Sequence, residues 1–247
     1  MFDERLVLNN ESKTNIIYDE HLVRYQLAAQ VAKGKRVLDI ACGSGYGARI
    51  LAQAGAEKVI AIDRDSAAIE AAIKNYGQDN IEFKTGEVEN IKEADGSFDL
   101  IISFETIEHL PDAEKYLQEL ARVLKKEGTA LISTPNREVF GQKNPYHLKE
   151  FTKQEFQEIL QKYFKNIFIL DQANGLASLI KSGESGKIFF NESAAPSYYI
   201  AAVSNNDSDL SDLFQESVVS VNPVALERIK NNPVMKFVDK IYSIFNR

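Results

Sequence analysis

The sequence predicts a doubly wound α/β fold with a mainly parallel sheet, and three observations carry that prediction. Strand-like apolar runs alternate with helical patterns along residues 36–134. The first run stops at an acidic residue and passes through a glycine-rich turn into a helix, in VLDIACGSGYG at residues 37–47. A second acid, Asp63, closes the next run in VIAIDRD. It lies about twenty residues beyond the turn, the interval at which a carboxylate meets ribose hydroxyls in α/β folds.

Each element follows from local pattern. Leu22, Val23, Leu27, Ala28 and Val31 recur at helical spacing over residues 19–33, and Gly34 is placed to end that helix. Strand runs then fall at 36–40, 58–62, 80–84, 98–103 and 129–134, separated by helical patterns at 46–54, 66–75 and 112–125. Such alternation implies right-handed crossovers, with the ligand at the strand C-termini near the topological switch point. After Thr134, Pro135-Asn136 opens a polar segment reaching Glu150, long enough to cover the pocket. A helix over 152–164 follows, with Thr152 and Glu155 spaced as a capping box. Two further strands, 166–170 and 197–204, flank KSGESGK; their short spacing suggests an antiparallel pair at the sheet edge and brings the strand total to seven. Residues 1–204 therefore read as one domain. Residues 205–247 read as an acidic linker, NNDSDLSDLFQE, followed by a C-terminal helix with Val234, Phe237, Val238, Ile241, Ile244 and Phe245 on one face.

Composition narrows the class. The net charge of -7 over 247 residues argues against general affinity for nucleic acid. One cysteine makes no internal disulfide, and the start carries acids where a secretory signal would be apolar, so a cytoplasmic protein is expected. The tail helix, flanked by Lys236, Lys240 and Arg247, suits docking on its own core or on a sister subunit in a homo-oligomer. It also suits peripheral contact with anionic lipid at the inner face of the membrane, or with a membrane-bound partner.

Gly43-Ser44-Gly45-Tyr46-Gly47-Ala48 formally satisfies the G-x-G-x-x-G/A pattern of a dinucleotide site, so an NAD-dependent dehydrogenase stays open on the turn alone. Asp39 weighs against it, because a pyrophosphate would meet a negative charge where a ligand ammonium would be welcome. With VLDIACGSGYG, Asp63 and the later FDLIISFETIEHL in place, the chain resembles the class I S-adenosylmethionine-dependent methyltransferases, with their Rossmann-like fold. The resemblance spans residues 18–204. It implies S-adenosylmethionine as cofactor, and Asp39 as partner of its ammonium beside Gly43, Ser44 and Gly45. Asp63 would accept from the ribose hydroxyls, and Arg64 would lie against the adenine or in solvent. Glu87 and Val88 match the acid and backbone amide that meet the adenine edge. HLVRYQLA resembles a lid helix, in which Arg24 would take the methionine carboxylate, Tyr25 would close over it and Tyr18 would join the lid. Phe104 would form a wall.

The acceptor side is less defined. Glu105, Glu108 and His109 are the first polar side chains after the fourth strand run, and His109 has the intrinsic pKa of a general base. A turn-satisfying role for it stays open. His147, in NPYHLKEFT, is the other candidate base; this phrase resembles the NPxHxxE(F/Y) stretch of bacterial methyltransferases acting on glycans or small molecules. Tyr146 and His147 would bracket a hydroxyl, with Asn136 and Asn144 offering donors and acceptors to a sugar. A purely structural role for His147 is an equal alternative. No compact cluster of ligands is legible, so no metal is expected. The expected activity is methyl transfer to a hydroxyl of a sugar, glycan or other small molecule. Alternatives are a quinone, lipid-like or amine acceptor, or an inactive cofactor-binding scaffold.

Overall fold

The computed structural model describes residues 16–141, 144–173, 177–181, 196–206, 210–214 and 218–221. The expected C-terminal helix and most of KSGESGK lie outside them. Five strands, β1 (Arg36–Ile40), β2 (Lys58–Asp63), β3 (Ile81–Thr85), β4 (Phe98–Ser103) and β5 (Leu124–Pro135), run parallel. Beside β5 lies the antiparallel strand β8 (Tyr198–Ser204), which also pairs with β6 (Asn166–Ala173). These seven strands are the mainly parallel sheet that the sequence predicts. Two further strands, β7 (Ala177–Lys181) and β9 (Val218–Val221), extend it to the order β3-β2-β1-β4-β5-β8-β6-β7-β9. Residues beyond 204 thus contribute a strand to the sheet as well as a 3-10 turn at Leu210–Phe214.

Alternation along the strands explains why helices cover both faces. In β1, Val37 joins the core beneath α1 (Ile16–Ala29) and α2 (Tyr46–Gln53), with Val23, Leu27 and Leu51. Leu38 and Ile40 point the other way, onto Tyr116, Leu117 and Leu120 of α4 (Ala113–Val123) and Phe156 of α6 (Lys153–Leu160). Strand β4 repeats the split, with Leu100 and Ile102 on the first face and Ile101 on the second. Asp65 caps α3 (Ser66–Tyr76), and Thr152 with Glu155 forms the expected capping box on α6.

The crossovers leave β1 on one side toward β2 and β3 and on the other toward β4 and β5, so the switch point lies between β1 and β4. Each of these strands is followed within two residues by a non-glycine residue with left-handed backbone, Ala41 at φ 59° and Glu105 at φ 52°. Such residues cost about 1–3 kcal/mol each and concentrate where function demands a fixed geometry. The intervening turn is equally constrained. Gly45 has φ 82°, and a Cβ there would lie 2.6 Å from Ala72 and 2.7 Å from Phe83; a Cβ on Gly47 would fall 2.0 Å from the Tyr25 ring. The second and third glycines are therefore set by packing of the turn against α3, β3 and α1.

Candidate active site

At the end of β1, Asp39 is buried, and its Oδ1 accepts a 3.0 Å hydrogen bond from the Tyr25 hydroxyl. Its Oδ2 has no partner. Burial, with the neighbouring Asp63 charge adding to it against the Tyr25 hydroxyl, pushes this carboxyl up to about 7. Tyr25 is itself fixed edge-to-face against Tyr46 and Phe104, with ring centroids 5.4 and 5.2 Å away. Phe104 is buried against Tyr25 just beyond β4.

At the end of β2, Asp63 Oδ2 accepts from the Gly43 amide at 2.8 Å and Oδ1 from the Asp65 amide at 3.0 Å. Each oxygen keeps a lone pair for another donor. The carboxylate thus ties the glycine turn to β2 and faces the switch point, while Asp65 does the helix capping. Ser44 is half-buried in that turn, Arg64 is exposed, and after β3 Glu87 is exposed while Val88 packs into the core. The thiol of Cys42 is buried, which pushes its pKa up and keeps it from acting as a nucleophile.

Arg24 is fully buried, which an arginine on the surface of an amphipathic helix would not be. Its Nη1 donates to Gln172 at 3.0 Å, and its guanidinium lies 4.6 Å over the Tyr198 ring. Glu105 approaches to 3.9 Å. Nε and Nη2 have no partner, so a buried positive fork and a buried carboxylate oxygen, on Asp39, both await a ligand. An orphaned acid and an orphaned guanidinium match the ammonium and carboxylate of an amino acid. The side chain of Tyr18 lies outside the described residues. His21, on the same helix, is held neutral, chiefly by burial and then by Arg24.

Two loops carry the residues expected to meet the acceptor. The 3-10 turn Ile107–His109 follows β4, and the Leu148 and Lys149 amides of the segment after β5 both donate to the Glu108 carbonyl. Glu108 is fully buried, with Oε2 accepting from Thr134 at 3.3 Å and Oε1 without a partner. Burial, and then Glu105, push this carboxyl well above the usual range. Glu105 is held from both sides, since its amide donates to Ser133 and the Ser133 hydroxyl donates back to its carboxylate.

The histidines come together, with ring centroids 4.9 Å apart. His109 Nδ1 donates to the Tyr146 carbonyl at 3.0 Å, so its Nε2 carries the lone pair. His147 Nδ1 contacts the buried Glu150 carboxylate at 2.7 Å. Its Nε2 accepts from Asn144 Nδ2 at 3.0 Å, because Asn144 Oδ1 is taken by the Tyr146 amide.

Two sequence expectations need correction. Asn136, expected to meet the acceptor, is fully buried, and both ends of its amide are used: Oδ1 caps the short helix α5 (Arg137–Phe140), and Nδ2 donates to the Pro196 carbonyl. The ligand cluster that the sequence did not advertise exists, since Glu108, His109 and His147 offer atoms within 4.8 Å of one another. Asn144 supports His147, and Tyr146 is half-exposed at the rim. Sequence reasoning missed Gln172, Ser133, Tyr198 and Glu150. Gln172, Ser133 and Tyr198 lie on β6, β5 and β8, far along the chain from the residues they hold, and no motif marks them; Glu150 is the acid of the NPxHxxE(F/Y) stretch itself, three residues from His147, and its spacing could have marked it.

Comparison with known proteins places this geometry. Residues 32–188 match the family model described as a methyltransferase domain, and the chain belongs to that family. This disposes of the dehydrogenase alternative. A probable S-adenosylmethionine-dependent methyltransferase of Mycolicibacterium smegmatis is 34% identical over 155 residues, covering 61% of this chain and 59% of the relative. A ubiquinone biosynthesis O-methyltransferase of Neisseria meningitidis is 36% identical over 111 residues, covering 42% of this chain and 46% of that protein. The chain thus spans about half the length of the curated relatives it matches. Among solved structures, a methyltransferase of Thermotoga maritima, described as a possible histamine N-methyltransferase, shares the fold with a TM-score of 0.62 at 18% identity, covering 79% of this chain and 94% of that one.

Proposed function

We propose that the protein transfers a methyl group from S-adenosylmethionine to a hydroxyl of a sugar, glycan or other small molecule. The observation that carries the cofactor half is the pair of orphaned buried groups, Asp39 Oδ2 at the end of β1 and the Arg24 fork on α1, with Asp63 neighbouring Asp39. When bound, the cofactor supplies a sulfonium-activated methyl group. Asp39 receives its ammonium, Arg24 its carboxylate and Asp63 its ribose hydroxyls, while the Tyr25 and Phe104 rings exclude water above the β1 end. Ser44 and the Gly43 and Gly45 backbone line the turn, and Glu87 and Val88 border the adenine edge. On the acceptor side, His109 Nε2 presents a lone pair beside Glu108. A hydroxyl is the acceptor that needs such help, since removal of its proton accompanies transfer.

Asp39 makes cofactor binding pH-dependent. The ammonium binds the ionised carboxylate, so below about pH 7 binding must first expel a proton. The dissociation constant should weaken by about tenfold per pH unit below that point and level off above it. Calorimetric titrations between about pH 5.5 and 8.5 should show this slope in the native protein and a flat profile in Asp39→Asn.

A second reading has its own observation. Val139, Phe140, Tyr146 and Leu148 are all exposed on the segment after β5, giving the acceptor rim an apolar edge. That edge favours a quinone or lipid-linked acceptor, and no helix among the described residues is long and apolar enough to cross a membrane by itself. Incubation with labelled S-adenosylmethionine and fractionated cell extract separates the readings. Label in the polar glycan fraction supports the first, label in the organic phase supports the second, and no release of S-adenosylhomocysteine in any fraction overturns both.

A further inference from the structure

We propose that Glu108, His109 and His147 hold one divalent transition-metal cation on the acceptor side of the pocket, an assignment that rests on the methyl-transfer reading and deepens it. One ligand atom from each residue lies within 4.8 Å of the other two. Movements on the order of 1 Å would bring all three to the bond lengths of a zinc-type centre. Two imidazoles and one carboxylate form a donor set suited to Zn2+, Co2+ or Mn2+.

The cluster does not stand on proximity alone. Glu108 is fully buried, yet its Oε1 has no hydrogen bond and faces His109 Nε2 at 4.0 Å. A buried carboxylate oxygen aimed at an imidazole lone pair satisfies neither group, and a cation between them satisfies both. Both imidazoles are also oriented as metal ligands usually are, each giving its Nδ1 proton to a carbonyl or carboxylate and turning Nε2 away from it. The acceptors here are the Tyr146 carbonyl for His109 and Glu150 for His147. The Asn144 amide now occupies His147 Nε2 and gives way as the cation enters, exchanging one neutral hydrogen bond for a coordinate bond.

Such a centre has an open position at the half-exposed His109 edge, and that is where the acceptor hydroxyl would bind. Coordination lowers the pKa of a bound hydroxyl as it does that of bound water. The hydroxyl proton leaves to solvent, a bond forms between its oxygen and the methyl carbon, the carbon–sulfur bond breaks, and the electron pair stays on sulfur. His109 is then a ligand, and the cation does the work otherwise asked of a base.

The test is direct. The full-length protein, stripped with chelator and dialysed, is titrated with Co2+ by visible absorption and with Zn2+ by calorimetry. One equivalent of Co2+ should produce a d–d band that Zn2+ abolishes, and Zn2+ should raise the melting temperature. Glu108→Gln, which keeps the buried volume, and His109→Asn should each weaken Co2+ binding at least about tenfold. Native-like melting temperatures of the metal-free variants would show that they fold. Absence of the band, of heat and of thermal stabilisation in the native protein would overturn the proposal, as would equal affinity in the native protein and both variants. S-adenosylmethionine binding, measured on the same samples, keeps the two readings apart. Intact nucleoside binding without a cobalt site removes the cation alone, whereas a cobalt site without nucleoside binding counts against methyl transfer and leaves the cation standing.

Discussion

Replacing Asp63 by alanine should weaken S-adenosylmethionine binding by about 100-fold, the largest effect expected of any single change on the cofactor side. The carboxylate has two tasks. Its oxygens anchor the Gly43 and Asp65 amides, and in the proposed complex their remaining lone pairs accept from the ribose hydroxyls. Two charge-assisted hydrogen bonds to the ligand, at about 1.5 kcal/mol each, account for about 3 kcal/mol, and the released turn adds to the loss. Asp63→Asn should also bind weakly, because an amide nitrogen turned toward Gly43 or Asp65 sets donor against donor. Calorimetry with S-adenosylmethionine and with S-adenosylhomocysteine should show parallel losses, since the ribose is common to both. Unchanged affinity in a folded Asp63→Ala variant would refute the ribose assignment.

The contrast between Asp63 and Asn136 shows what the sequence can and cannot carry. Asp63 is legible because its role depends on local features: a strand end, a turn about twenty residues earlier and a helix immediately after. Strand and helix periodicity likewise placed β1, β2, β4 and the capping box on α6 within a residue or so of their observed bounds. Strand β5 begins earlier than its apolar run suggests, because α4 passes directly into it and residues 125–128 bulge out of register with β4. Asn136 reads as a polar residue in a covering loop, yet the loop closes back on β8 and turns the side chain inward to satisfy the Pro196 carbonyl and cap α5. The acceptor cluster was opaque for the same reason. Glu108 and His147 are distant in sequence, and what joins them is a pair of backbone hydrogen bonds between loops.

That cluster sets the second large effect. His109→Asn should lower turnover by about 100-fold or more while leaving the dissociation constant for S-adenosylmethionine within about twofold. Asparagine can still reach the Tyr146 carbonyl with its amide, so the turn after β4 keeps its attachment and the substitution removes chiefly Nε2. Nε2 faces Glu108 and the acceptor mouth, whereas the cofactor groups Asp39, Asp63 and Arg24 hang from β1, β2 and α1. The loss should therefore fall on kcat with the acceptor identified by extract labelling. It should fall on that parameter whether the lone pair takes the proton itself or binds the cation that acidifies the hydroxyl. Undiminished turnover would remove His109 from the chemistry. A loss confined to cofactor affinity would place it with the cofactor groups instead.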